Sequence, residues 1–327
     1  MDRTGGGPMS IRKLATHAAA AGALALATVQ FASPATAQNV TIVVPFSAGG
    51  GTDITTRSMQ EEMAKSLGAN VVVKNTSGAG GTIGVAEAAR ARPDGRTIAM
   101  APVGPLTTQT HLRKLPYSVD SFDYICLAYS APTAIAVHKD SEFKTLDDLV
   151  SFAKENPGKL NFAVQAIGSI PHVAGLALAD AAGIEMTYLP VNGDGPALKA
   201  LLDGTADLFI PHVSFLSKNA DQIRSLAILK DGRLDTMPDE ITAKEQGYDL
   251  DIPIWGGLVA PKGTPADRLG ALETACEQAI SSGPFQERME QLQQPSAYMN
   301  GAEFEAFVTK QFERNRGLLE KAGLLAE

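Results

Sequence analysis

Ser169 and His172 stand three residues apart in the stretch AIGSIPH, residues 166–172, where an apolar run with helical periodicity begins. One turn of helix brings both side chains to one side. There a serine nucleophile, a histidine base and Asp207 as orienter would make a hydrolytic set. Two milder readings use the same residues: a pair of hydrogen-bond donors toward one ligand, or Ser169 as a helix cap with His172 packed. The G-x-S-x-G elbow that exposes a nucleophilic serine is absent, because Ala166-Ile167-Gly168-Ser169-Ile170 is a different pattern. Hydrolysis is the weakest of the three. The five histidines (His17, His111, His138, His172 and His212) lack metal-ligand spacing, and no carboxylate pair has general acid–base context. Neither a metal nor a cofactor is expected.

A second stretch offers binding without reaction. In VTIVVPFSAGGGTDITTR, residues 40–57, an apolar β-branched run ends in three glycines and a helical pattern starts at once. A helix start has unpaired N–H groups and the positive end of the helix dipole. Glycines let a ligand approach that backbone, and in open α/β sheets ligands lie at the carboxyl ends of strands. The junction is therefore read as an anion site, with a plain tight turn as the alternative. Thr52 is expected as the N-cap. Asp53 would repel an anion, so it is expected to point away or to cap locally. Nucleotide loops do not fit: Gly51-Thr52-Asp53 lacks the Walker lysine, and Ile83 occupies the last glycine position of a dinucleotide fingerprint begun at Gly78.

The elements that must hold these residues follow an α/β grammar. Strand-like runs at 40–45, at 71–74 and after Pro93-Asp94-Gly95 alternate with helical patterns, which predicts a parallel sheet. Residues 133–229 repeat the alternation, so two α/β units lie in tandem with a crossing near 130–140. Residues 255–260 read as a strand returning to the first unit, and the tail from 265 reads as helical with no sheet of its own. Hinges are expected near 136–139 and 251–256. Cys126 and Cys276, far apart in sequence, allow a disulfide, but two buried free thiols are the favoured reading.

At the N-terminus, Arg12 and Lys13 precede an apolar run and Ala35-Thr36-Ala37, a secretory signal pattern with cleavage before Gln38. Met9 is an alternative start. Residues 1–37 carry three cations (Arg3, Arg12, Lys13) and one anion (Asp2), so their removal takes the formal charge from −8 to −10. That balance argues against nucleic acid as a partner, since phosphate contacts need a basic face.

The motifs in their order and spacing resemble the Bug family, the extracytoplasmic solute-binding proteins of tripartite tricarboxylate transporters. The segments that carry the likeness are VPFSAGGGTDITTR, GAGGTIGVAEAARARPDGRTI, TLDDLVSFAKENPGKLNFA, GSIPH, LLDGTADLFI and WGGLVAPKGTP. The resemblance implies a type II periplasmic-binding-protein fold of two doubly wound α/β lobes joined by two crossover segments. Lobe 1 would comprise residues 38–137 and 255–327, and lobe 2 residues 138–254. It implies a non-enzymatic, monomeric periplasmic protein that takes a dicarboxylate, tricarboxylate, amino acid or aromatic acid to permease subunits, or alternatively feeds a sensor kinase. Its ligand would meet Phe46, Ser47, Ala48, Gly49 and Gly50 on one lobe and Gly168, Ser169, His172 and Asp207 on the other, with Thr76 and Ser77 at the border. One departure bears on ligand identity: the family's VPYKG appears here as Pro190-Val191-Asn192-Gly193, without the aromatic residue and the lysine.

Overall fold

The computed structural model describes residues 39–191, 193–292 and 294–326. The expected signal segment lies outside them. In chain order the first run of elements is β1 (Val40–Val44), α1 (Gly51–Leu67), β2 (Val71–Asn75), α2 (Thr82–Ala89), β3 (Thr97–Pro102), α3 (Val103–Thr107), α4 (Gln109–Leu112) and β4 (Phe122–Ala131). The second run is β5 (Thr133–His138), α5 (Leu146–Glu155), β6 (Leu160–Val164), α6 (Ile170–Ala182), β7 (Met186–Pro190), α7 (Asp194–Leu202), β8 (Leu208–Phe209), α8 (Val213–Lys218) and β9 (Ile223–Leu229). The last run is β10 (Ile254–Pro261), α9 (Ala266–Ser281), α10 (Gly283–Gln291), β11 (Ser296–Asn300) and α11 (Gly301–Lys321).

These elements make two sheets, ordered β11-β4-β10-β3-β1-β2 and β7-β6-β8-β5-β9, the centres of two lobes within one compact unit that begins at Asn39. Each sheet is mixed, not purely parallel. β1 runs parallel to β2 and β3, while β10 inserts antiparallel between β3 and β4. In the second sheet β6 runs parallel to β7 and β8, and β5 runs antiparallel to β8 and β9. The returning strand at 255–260 is thus β10. The tail is not wholly helical, because β11 pairs with β4 as an edge strand.

Local sequence explains the elements that matter for the site. Val40, Ile42, Val43 and Val44 are buried, as a strand covered on both faces requires. α1 ends at Gly68, whose φ of 55° is the left-handed C-cap conformation that glycine adopts without strain. α5 opens on a capping box in which Thr145 Oγ1 accepts the Asp148 N–H and the Asp148 carboxylate accepts the Thr145 N–H.

The chain changes sheets at Pro132, between Ala131 at the end of β4 and Thr133 at the start of β5. The expected first hinge at 136–139, and the lobe boundary at 137, instead fall in and just after β5. The run TAIAVH is a continuous buried strand, and the natural break is the proline, which has no N–H for a ladder. The return to the first sheet spans residues 251–253, within the expected second window. The two crossings touch, since Thr133 Oγ1 donates to the Ile252 carbonyl at 3.0 Å.

The favoured free-thiol reading is overturned. Cys126 in β4 and Cys276 in α9 form a disulfide, with Cα atoms 6.6 Å apart and 150 residues of separation. Both residues lie in the buried layer between the first sheet and α1, α9 and α10, where the two elements face one another.

Candidate functional site

A cavity of about 520 Å³ opens between the lobes, at the carboxyl ends of β1, β3, β6 and β8. The first lobe walls it with Phe46, Gly51 and Thr52 around the start of α1, with residues 102–105 and Gln109 at α3 and α4, and with Tyr129 and Ala131 from β4. The second lobe contributes residues 166–171, His212 and Ser214. None of the lining residues is charged.

The turn between β1 and α1 is built around Asp53. This carboxylate, 2% exposed, accepts the Gly49 N–H at 2.8 Å, the Asn75 side-chain amide at 2.9 Å and Arg57 Nε at 3.0 Å. Burial pushes its pKa up, but the bonds from Arg57, Gly49 and Asn75 outweigh burial and hold it below the ordinary aspartate value. Asp53 therefore caps locally, and it uses one of the amides expected to face a ligand. The Gly50 N–H is turned inward too, toward the Ser47 carbonyl at 3.4 Å. Gly50, not Thr52, is the N-cap, and it caps without a side-chain bond. The next two N–H groups, on Gly51 and Thr52, have no helical carbonyl to bond and belong to residues that line the cavity. The Thr52 hydroxyl lies 3.4 Å from that of Tyr129, whose pKa burial raises to about 12, so the phenol is neutral.

Across the cavity, the residue 166–169 loop is held by α6. The Gly168 N–H donates to His172 Nδ1 at 3.0 Å, and Ser169 Oγ accepts the His172 N–H at 3.3 Å as the helix N-cap. His172 is 3% exposed and packs edge-on against Tyr188; burial pushes its pKa down to about 4. His212 is likewise shifted down by burial, with Asp194 opposing the shift, so both imidazoles favour the neutral form.

Of the sequence-derived site residues, Phe46, Gly168 and Ser169 line the cavity. Ser47, Ala48, Gly49 and Gly50 occupy the exposed outer part of the same turn, outside the lining. His172 sits behind the wall as an acceptor for the loop. Thr76 is turned to Glu87, to which its hydroxyl donates at 2.9 Å, and Ser77 is exposed away from the lining. Asp207 lies at the opposite end of the second sheet. It precedes β8, and its carboxylate accepts the Asn161 N–H at 2.7 Å beside the amino end of β6. The Ser169–His172–Asp207 set is consequently not assembled. Gln109, Tyr129, His212, Ser214 and Gln294 line the cavity without having been singled out from the sequence. A signal existed for three of them: Gln109 follows β3, and His212 and Ser214 follow β8, at the strand ends where ligands sit.

Residues 55–324 match the model of the tripartite tricarboxylate transporter family receptor. The chain belongs to this receptor family. The periplasmic binding protein BugD is 33% identical, with a TM-score of 0.70 over 88% of this receptor and 99% of BugD. MatC from Rhodopseudomonas palustris, solved with bound malate, is 28% identical, with a TM-score of 0.68 over 86% of the receptor and 98% of MatC. An R. palustris protein solved with adipate is 26% identical, with a TM-score of 0.71 over 87% of the receptor and 97% of that chain. The two-lobed solute-binding fold is common to all of them.

Proposed function

We propose that this receptor captures a small carboxylate in the inter-lobe cavity, in the periplasm and as a single chain, and delivers it to the permease subunits of a tripartite tricarboxylate transporter. The observation that carries the reading is the start of α1. Gly51 and Thr52 bring two N–H groups and the positive end of a 17-residue helix to the wall of an uncharged cavity. The anchor is shifted by two residues from Gly49 and Gly50, whose amides serve the turn itself. Charge-assisted hydrogen bonds contribute about 1.5–3 kcal/mol each. Three or four of them, less the cost of ordering, reach about 8 kcal/mol, or micromolar affinity. Malate and adipate in two relatives support the ligand class.

Thermal unfolding against malate, adipate, citrate, hexanoate and benzoate tests the reading. A ligand at a hundredfold excess over its dissociation constant adds about 2.7 kcal/mol of stability. At least one acid should raise the midpoint, and substitution of Thr52 by proline, which deletes one of the two amides, should weaken that effect. If no acid moves the midpoint, the reading fails.

A further inference from the structure

Two side chains in the cavity wall can change charge, Tyr129 and His212. Burial keeps the Tyr129 phenol neutral, which leaves His212 as the one side chain in the wall that can become a cation near neutral pH. His212 follows β8 on the second lobe, beside the first crossing, and its backbone bridges to Thr133. Among the described residues no hydrogen bond engages its ring, so the imidazole is available to a guest. On the same lobe, Gln165 Nε2 donates to Asp194 Oδ1 at 3.1 Å and to the Ile210 carbonyl at 2.9 Å. That amide ties the Asp194 carboxylate to the segment that carries His212. Burial holds the ring toward its neutral form, and the charge of Asp194, at the start of α7, opposes burial. The other neighbours add no comparable pull. His172 of α6 is neutral, β5, β6 and β8 carry no titratable side chain at this end, and Lys218 of α8 and Asp251 at the second crossing do not act on the ring.

We propose, building on the carboxylate reading above, that His212 binds the second carboxylate of a dianionic guest as an imidazolium, so that capture takes up a proton from solution. With one carboxylate at Gly51 and Thr52, the other reaches the second lobe. The Ile170 N–H and the hydroxyls of Ser169 and Ser214 can orient it there, but they add no charge. A carboxylate beside His212 favours the protonated ring, as Asp194 already does, and the two together offset the burial that keeps the ring neutral in the free receptor. A monocarboxylate whose chain lies there adds no such charge and leaves the ring as it was. The sign of the linkage follows. The complex holds a proton that the free receptor does not, so affinity for a dianion rises as pH falls toward the free ring's value, which lies below 6.5.

Calorimetry in phosphate and in Tris, buffers that differ in ionisation enthalpy, counts the protons taken up with each guest. The useful range is about pH 6.5 to 8, where imidazole titrates and carboxylates do not. Malate or adipate should bring about half to one proton at the lower end and gain about three- to tenfold in affinity per pH unit of acidification. Hexanoate should bring none, and its affinity should stay level. His212→Gln should remove the uptake and the pH dependence together. A diacid that binds with no proton taken up anywhere in the range overturns the assignment, and the parent receptor alone decides this. Uptake that survives His212→Gln overturns it as well. Binding of hexanoate, benzoate or citrate without either diacid does the same, while carboxylate capture stands. If all five acids fail to bind, the carboxylate reading falls and this inference falls with it.

Discussion

An imidazole that accepts a hydrogen bond instead of donating one fixes the second wall of the cavity. His172 Nδ1 can take the Gly168 N–H only while that nitrogen carries no proton. Burial arranges this by lowering its pKa from 6.5 to about 4. The sign of the linked stability follows directly. Below pH 6.5 the unfolded imidazole takes up a proton that the folded one refuses until about 4, so acidification across that window favours unfolding. His172→Leu should therefore do two things. It leaves the buried Gly168 N–H unpaired, costing about 1–3 kcal/mol near neutral pH. It also removes the titrating group, so the fall in stability between the two pKa values should flatten. Urea unfolding across that pH range measures both. A variant that loses stability on acidification as steeply as the parent would show that His172 does not titrate this way. The spacing of Ser169 and His172 revealed a shared helical turn, but which way the ring faces depends on Tyr188 and the strand beneath it, 16 positions further along, and spacing carries no such information.

Among the elements, β4 and α9 are joined by the one covalent link between distant parts of the described chain. Cys126–Cys276 fastens β4, the strand next to the β11 edge of the first sheet, to the helix layer that returns from the C-terminal third. A bridge across 150 residues removes much conformational freedom from the unfolded chain. Replacing both cysteines by alanine should cost about 2–5 kcal/mol. Reductant should lower the melting midpoint of the parent and leave the variant unmoved; equal sensitivity in both would mean the bridge does not form in solution. The pairing was not legible because it needs the face of β4 and the face of α9, which tertiary packing sets. β11 escaped for a related reason. SAYMN has no β-branched residue and stands between helices, and it is a strand only because β4 offers it a ladder. By contrast, β1, β2, β3, α1 and α5 could be read directly, since β-branched runs, glycine stops and the Thr145 box are local signals. Asp207 shows the limit of motif reading. The acidic residue after the DG step is there, but strand direction places it at the amino end of β8, far from the loops that follow the carboxyl ends.

At the scale of the whole molecule, the lobes are tied by their crossings and by α11. Arg314 Nη1 in α11 donates to the Asp251 carbonyl at the second crossing, and Lys321, also in α11, pairs with Asp180 of α6. Beside the cavity the lobes meet where Gly168 rests on α4. A Cβ on Gly168 would lie 2.1 Å from Leu112 Cδ1, and its φ of 75° already disfavours any other residue. Gly168→Ala should strain the loop, at about 1–2 kcal/mol, and must displace either the flexible end of Leu112 or the lobe that carries it. If ligand capture needs the lobes in contact, the competent population falls and the apparent affinity falls with it, by about tenfold or more. Strain and steric obstruction can be separated. Leu112→Ala clears the obstruction and leaves the backbone strain, so the double variant should recover most of the affinity while keeping the loss of stability. Small-angle scattering should show a ligand-induced contraction in the parent and the double variant and none in Gly168→Ala. A single variant that binds and contracts like the parent would mean that Leu112 yields and that this contact does not set the distance between the lobes.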